Sequence, residues 1–171
     1  MVTFQPLTKL VAGVMGHSSV DAVLPDAVAL FGTLDGQTFR LHEGPISEDR
    51  EEIAVRMLGP SFRLSNLTTA VAPGVPVFTN TEEAHVASLL LAPKTCQALC
   101  AHVRPPAASL LAVFPSEKRI LWSPIDKPEV EDLLRELSVK GRAIESEPLS
   151  GAVVRFNGHG WAPARTAAVS H

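Results

Sequence analysis

Residues 110–140 read LLAVFPSEKRILWSPIDKPEVEDLLRELSVK, and this stretch decides the fold class. Leu110–Leu111–Ala112–Val113–Phe114 and Arg119–Ile120–Leu121–Trp122 are β-prone runs flanking Pro115–Ser116–Glu117–Lys118, the pattern of a β-hairpin. From Pro128 to Lys140 the period changes. Val130, Leu133, Leu134 and Leu137 fall at i, i+3, i+4 and i+7 and form one apolar stripe. Glu131–Arg135 and Glu136–Lys140 are i, i+4 pairs for the outer face of that helix, and Gly141 supplies its stop.

Two further hairpins lie outward from this core. Val28–Thr33 and Gln37–His42 flank an Asp35–Gly36 turn, with Phe39 and Leu41 alternating with polar neighbours. Ala152–Phe156 and His159–Ala162 flank Asn157–Gly158, the preferred pair for a tight turn. Helices are expected at Leu7–Met15, at Ser47–Leu58 capped by Ser47 and ended by Gly59–Pro60, and from a capping box at Asn80 and Glu83 to Leu91. Another helix is expected from Lys94 to Val103. In the second of these helices Ile53, Met57 and Leu58 point inward. Phe62–Val71 reads as a strand, and Val75–Phe78, set among Pro73 and Pro76, as an edge or irregular one. The expected architecture is α+β: an antiparallel sheet built from three β-hairpins with helices packed on it. It forms one domain over 1–165 with a frayed tail over 166–171. Strict β–α–β alternation is missing and no Gly-rich loop follows a strand, which counts against a doubly wound nucleotide-binding fold.

The chain has 171 residues, 46% of them hydrophobic and 19% charged, with a formal net charge of −3. This composition excludes a disordered tail protein and argues against a generic nucleic-acid or anionic-membrane binder. Aromatics are 5% with no Tyr, so base-stacking platforms are not expected. The N-terminus lacks the pattern of a secretory signal, and no stretch approaches a membrane span of about 20 apolar residues. Cys96 and Cys100 are too few for a disulfide framework. A reduced, cytoplasmic protein is the expectation.

Four groups of residues are candidates to carry chemistry. His17, Ser18 and Asp21 sit together, but Val20 stands where a nucleophile elbow needs Gly, and the plainer reading is a polar loop with Ser19 or Asp21 as a helix cap. Cys96 and Cys100 share a helix face, with His85 on the preceding helix, but His102 lies about 200° around the helix from Cys100 and the spacing is not that of a zinc knuckle; small core residues is the plainer reading. Glu43, Glu48, Asp49, Glu51 and Glu52, with Arg50 among them, form an acidic patch that reads as a solvated face or as a docking patch for a basic partner. His159 and Trp161 flank a turn and Trp122 ends a strand, where an indole lines a pocket or, more often, closes a core edge. No catalytic, cofactor-binding or metal-ligating residue is assigned, and no cofactor is expected.

Ser109–Leu121, the helix Pro128–Lys140, and the segment from Leu149–Ser150 to Asn157–Gly158–His159–Gly160–Trp161 follow one another in an order that resembles uncharacterised bacterial YtpQ-like proteins. That resemblance covers residues 109–163 and implies an α+β domain with no established activity and no catalytic residues to carry over.

The function expected from the sequence is therefore a non-catalytic cytoplasmic protein-binding or regulatory module, an adaptor, chaperone or inhibitor of a partner protein, with a homodimer as companion. The apolar run Ser88–Ala92 is expected to contribute to an interface. The alternative is a small hydrolase or transferase using Ser18, His17 and Asp21 or a cysteine thiol.

Overall fold

A computed structural model describes residues 3–8, 20–24, 27–35, 38–43, 46, 48–66, 74–102, 107–145 and 148–164. Its centre is the hairpin of β7 (Leu110–Ser116) and β8 (Arg119–Ser123), antiparallel with Ala112 opposite Trp122 and Ser116 opposite Arg119. Every residue of β7 is buried, so both faces of this hairpin need cover. Leu110, Ala112, Phe114, Ile120 and Trp122 enter one apolar cluster, whereas Leu111, Val113 and Leu121 enter another. The second cluster is closed by helix α3 (Pro128–Ile144) through Val130, Leu133 and Leu134. The first is closed by a 3-10 helix at Val86–Leu91 and by α2 (Pro93–His102), which contribute Val86, Leu89, Cys96 and Cys100.

Around this hairpin runs a six-stranded antiparallel sheet in the order β10-β9-β7-β8-β6-β5. Its other strands are β5 (Leu64–Asn66), β6 (Phe78–Asn80), β9 (Val154–Phe156) and β10 (Trp161–Pro163). A separate four-stranded sheet comprises β1 (Thr3–Thr8), β2 (Val20–Leu24), β3 (Ala27–Asp35) and β4 (Thr38–Leu41). Gly32 pairs with both Thr3 and Leu41, so β1 and β4 lie on opposite edges of β3. Ala29 and Phe31 of β3 pack on Ile53 and Ala54 of α1 (Arg50–Leu58) and on Ala92, which joins this sheet to the helices.

The α+β class and the three expected hairpins are present, but the first hairpin belongs to its own sheet rather than to a single common one. Leu7 and Thr8, expected to open a helix, lie in β1; the rest of that segment, 9–15, falls outside the described residues, as do the tail 166–171 and Ser47. Asp49 caps α1, accepting from the N–H groups of Glu51 (2.8 Å) and Glu52 (3.2 Å). Of the expected strand Phe62–Val71, the described part forms only Leu64–Asn66. The strand placed at Val75–Phe78 starts later and is interior, between β5 and β8, because Pro76 precedes it and leaves the ladder intact. Asn80 ends β6 instead of capping a helix, and the 3-10 helix begins only at Val86. The last hairpin has a four-residue loop, with Gly158 at φ +96° and Asn157 Oδ1 accepting from the N–H groups of His159 and Gly160.

Gly141 does not stop α3, which continues to Ile144. A Cβ at this position would lie 3.4 Å from Cβ and Cγ of Pro115, so the glycine permits close approach of the helix to β7. Glu131, placed on the outer face by its i, i+4 spacing, is 4% exposed, although its pair with Arg135 forms at 2.9 Å.

Two core aromatics should respond differently to substitution. Phe114 is fully buried and meets Trp161 edge-on at 5.6 Å, so Phe114→Ala should cost about 3–5 kcal/mol in urea unfolding. Trp122 stacks on Phe78 at 4.6 Å, but its indole N–H meets no acceptor among the described residues. Trp122→Phe removes that orphan donor, and the same measurement should show a loss below about 1.5 kcal/mol.

Candidate functional site

Among the described residues, two regions gather polar and titratable side chains around a concavity. The first lies where α1 meets the start of α2. The acidic segment seen in the sequence does not act here as one uniform face. Asp49 is the α1 cap. Glu48 pairs with Arg56 at 3.5 Å. Glu51 Oε1 accepts from the Lys94 N–H at 2.7 Å, supplying the first turn of α2 with an acceptor and tying the two helices together. The Arg50 guanidinium lies 5.2 Å over the Phe31 ring. Glu52 and Glu43 are exposed. Between the helices is a cavity of about 430 Å³ lined by Asp49, Glu51, Glu52, Val55 and Arg56 together with Lys94 and Thr95. Val55 is 46% exposed within it, an apolar side chain open to solvent beside exposed carboxylates.

The second region surrounds the β7–β8 turn. Asn80 is 7% exposed and satisfies three backbone groups at once. Its Nδ2 donates to the carbonyls of Glu82 (2.9 Å) and Lys118 (2.8 Å), and its Oδ1 accepts from the Ile120 N–H (3.1 Å). Residues 81–85 then run as a strap over the turn. Glu83 pairs with Lys118 at 2.6 Å, and the Ala87 N–H donates to the Glu117 carbonyl at 3.0 Å. His85 Nδ1 lies 2.9 Å from Ser88 Oγ, and its Nε2 lies 3.7 Å from Glu117 Oε2. The imidazole holds the Glu117 carboxyl below the usual carboxylate range, against the opposing effect of its partial burial. Thr81, Glu82 and Glu83 of the strap, with Lys118, Arg119 and Glu145, line a cleft of about 310 Å³.

Ser88, His85 and Glu117 are the residue types of a hydrolytic triad, and sequence reasoning did not assemble them. The i, i+3 spacing of His85 and Ser88 was visible, but Glu117 comes from the centre of a distant turn. Ser88 has 0% exposure, so no substrate reaches its Oγ in this conformation; the trio acts as a tether between the 3-10 helix and the turn.

The other sequence candidates separate. His17, Ser18 and Ser19 lie outside the described residues, and Asp21 lies within β2 opposite Ala29, not at a helix cap. Cys96 and Cys100 are free thiols, 1% and 7% exposed, inside the main apolar cluster. Burial pushes the Cys96 thiol up to about 12, opposed in part by Trp161, and burial also raises Cys100. Cys96 Sγ donates to the Leu89 carbonyl at 3.3 Å, which also accepts from Trp161 Nε1 at 3.0 Å. Trp161 thus closes a core edge against Phe114 and Phe156, while His159 is exposed. Among the described residues no group of three or more His, Cys, Asp or Glu is arranged to hold a metal ion. The run Ser88–Ala92 is largely core: Ser88, Leu89, Leu90 and Ala92 are buried, and Leu91 is half-buried.

Comparisons with protein-family models, with curated proteins and with solved structures find no match to this chain.

The thiols provide a direct check on this packing. At about pH 8 the native protein should react with an aromatic disulfide reagent far more slowly than the urea-unfolded chain, in which two thiols react promptly. Rapid native labelling of Cys96 would contradict the burial described.

Proposed function

We propose that this protein is a non-catalytic cytoplasmic protein-binding module, an adaptor, chaperone or inhibitor of a partner protein, whose contact face is the concavity between α1 and α2. The observation that carries this reading is Val55, exposed in a cavity beside Asp49, Glu51 and Glu52. A partner segment that places an apolar side chain on Val55 and basic side chains on the surrounding carboxylates fits this arrangement. Of the two cations in the lining, Arg56 is engaged by Glu48, so Lys94 stands against the three carboxylates Asp49, Glu51 and Glu52 and the acids predominate. The cytoplasmic assignment is supported by free, buried cysteines, and among the described residues no helix is long and apolar enough to cross a membrane.

The reading is tested with labelled short peptides carrying Lys or Arg on both sides of a central Leu, measured by fluorescence anisotropy. Saturable binding is expected, weakened about tenfold by Glu52→Lys or by Val55→Asp, equivalent to about 1.4 kcal/mol. Raising the salt concentration should weaken it further. Both substitutions are at exposed helix positions, so melting should shift little. Absence of saturable binding, or binding indifferent to both substitutions, overturns the proposal.

A further inference from the structure

We propose that the α1–α2 concavity selects a partner segment carrying charges of both signs: a base for Glu52 and an acid for Lys94, on either side of the apolar residue that meets Val55. Such selection rests on the contact face proposed above, and it follows from which charges of the lining are already in use.

The three carboxylates are not equally open to a partner. Asp49 Oδ1 accepts from the N–H groups of Glu51 and Glu52, and Glu51 Oε1 accepts from the Lys94 N–H at 2.7 Å. Both acids therefore serve helix starts of their own chain. Glu52 is exposed, and its carboxylate meets no donor or cation among the described residues.

The cations divide in the same way. Arg56 is held by Glu48 at 3.5 Å. Lys94 engages Glu51 through its backbone N–H; the residue is exposed, and its ammonium meets no carboxylate among the described residues. An ammonium on a flexible four-carbon stem is a compact charge that reaches an acid over a range of positions.

Two unengaged charges of opposite sign remain, each on its own helix. Glu52 lies in the first turn of α1 and shares a helix face with Val55, three residues on. Lys94 lies in the first turn of α2. Complementarity to Glu52, Val55 and Lys94 is a base, an apolar side chain and an acid. A segment basic on both flanks satisfies Glu52 but sets a like charge against Lys94. A segment acidic on both flanks fails at Glu52 and meets Asp49 and Glu51 as well. The acids thus set the overall charge preference, whereas Lys94 supplies the repulsion that discriminates among basic partners.

Four labelled peptides of equal length test this by fluorescence anisotropy at about 50 mM salt, where the charges are least screened. One carries Lys on both sides of a central Leu, one carries Glu on both, and two carry Lys on one side and Glu on the other, in either order. The better mixed peptide should bind about three- to ten-fold more tightly than the doubly basic one, the size expected when one exposed repulsion becomes an exposed ion pair. The doubly acidic peptide should bind least. Lys94→Gln keeps the backbone N–H for Glu51 and removes the charge, so it should cancel most of the preference; Lys94→Glu should reverse it in favour of the doubly basic peptide. Thermal melting reports whether each variant is folded, and if Lys94→Glu loses stability beside Glu51, Lys94→Gln decides. Saturable binding in which the doubly basic peptide equals or exceeds both mixed ones, or a preference unchanged by Lys94→Gln, overturns the mixed-charge selection and leaves the contact face standing. No saturable binding by any of the peptides removes the contact face itself, and the selection with it.

Discussion

The hairpin of β7 and β8 is buried on both faces, and the arrangement of the other elements follows from that constraint. A hairpin with one wet face needs a single cover. Here Leu111, Val113 and Leu121 require α3 on one side, while Leu110, Phe114, Ile120 and Trp122 require the 3-10 helix and α2 on the other. Each large side chain so covered contributes about 1.5–3 kcal/mol relative to exposure, so removing either cover leaves several such terms unmet. Backbone groups follow the same logic. Beyond Ala112, the edge of β7 that faced β9 is taken over by the chain returning from α3, where the N–H groups of Leu149 and Ser150 donate to the carbonyls of Pro115 and Phe114. Gly141 makes that return compatible with the helix, because a larger residue would press against Pro115.

What was legible in the sequence was what local periodicity encodes. The stripe Val130–Leu133–Leu134–Leu137 placed α3, and two apolar runs about a polar turn placed β7 and β8. Features that depend on distant partners were not legible. Asn80 followed by Glu83 satisfies the pattern of a capping box, yet its amide is used by Lys118 and Ile120, which no local rule connects to it. Ser88–Ala92 is apolar on all sides because it is packed on several sides, and sequence alone does not distinguish that from an exposed adhesive surface. The division into two sheets was equally hidden, since a hairpin specifies its own pairing but not the sheet it joins.

The acidic segment was legible as charge but not as a set of separate tasks. Capping, ion pairing and the tie to α2 consume Asp49, Glu48 and Glu51 differently, and the shape beside them exists only because α2 starts where Glu51 can receive its Lys94 N–H. The concavity at Val55 is therefore a product of helix-end chemistry joining two elements far apart in sequence. The cysteines show the reverse case. Their plain reading as small core residues matches their place beside Leu89 and Trp161, and the same burial that fits them to the core raises the thiol and withholds the thiolate that metal binding or nucleophilic attack needs.

Strength is distributed unevenly along the segment from β6 to α2, and that distribution decides where the molecule yields first. At one end, buried Asn80 meets three backbone partners, and breaking it would strand polar groups away from water. At the other, the Leu89 carbonyl is held by both the Cys96 thiol and the Trp161 indole within the apolar cluster. The strap between them has exposed residues and ionic contacts, which water and salt compete with directly. Opening there costs the least apolar burial, so it can occur while both anchors stay in place.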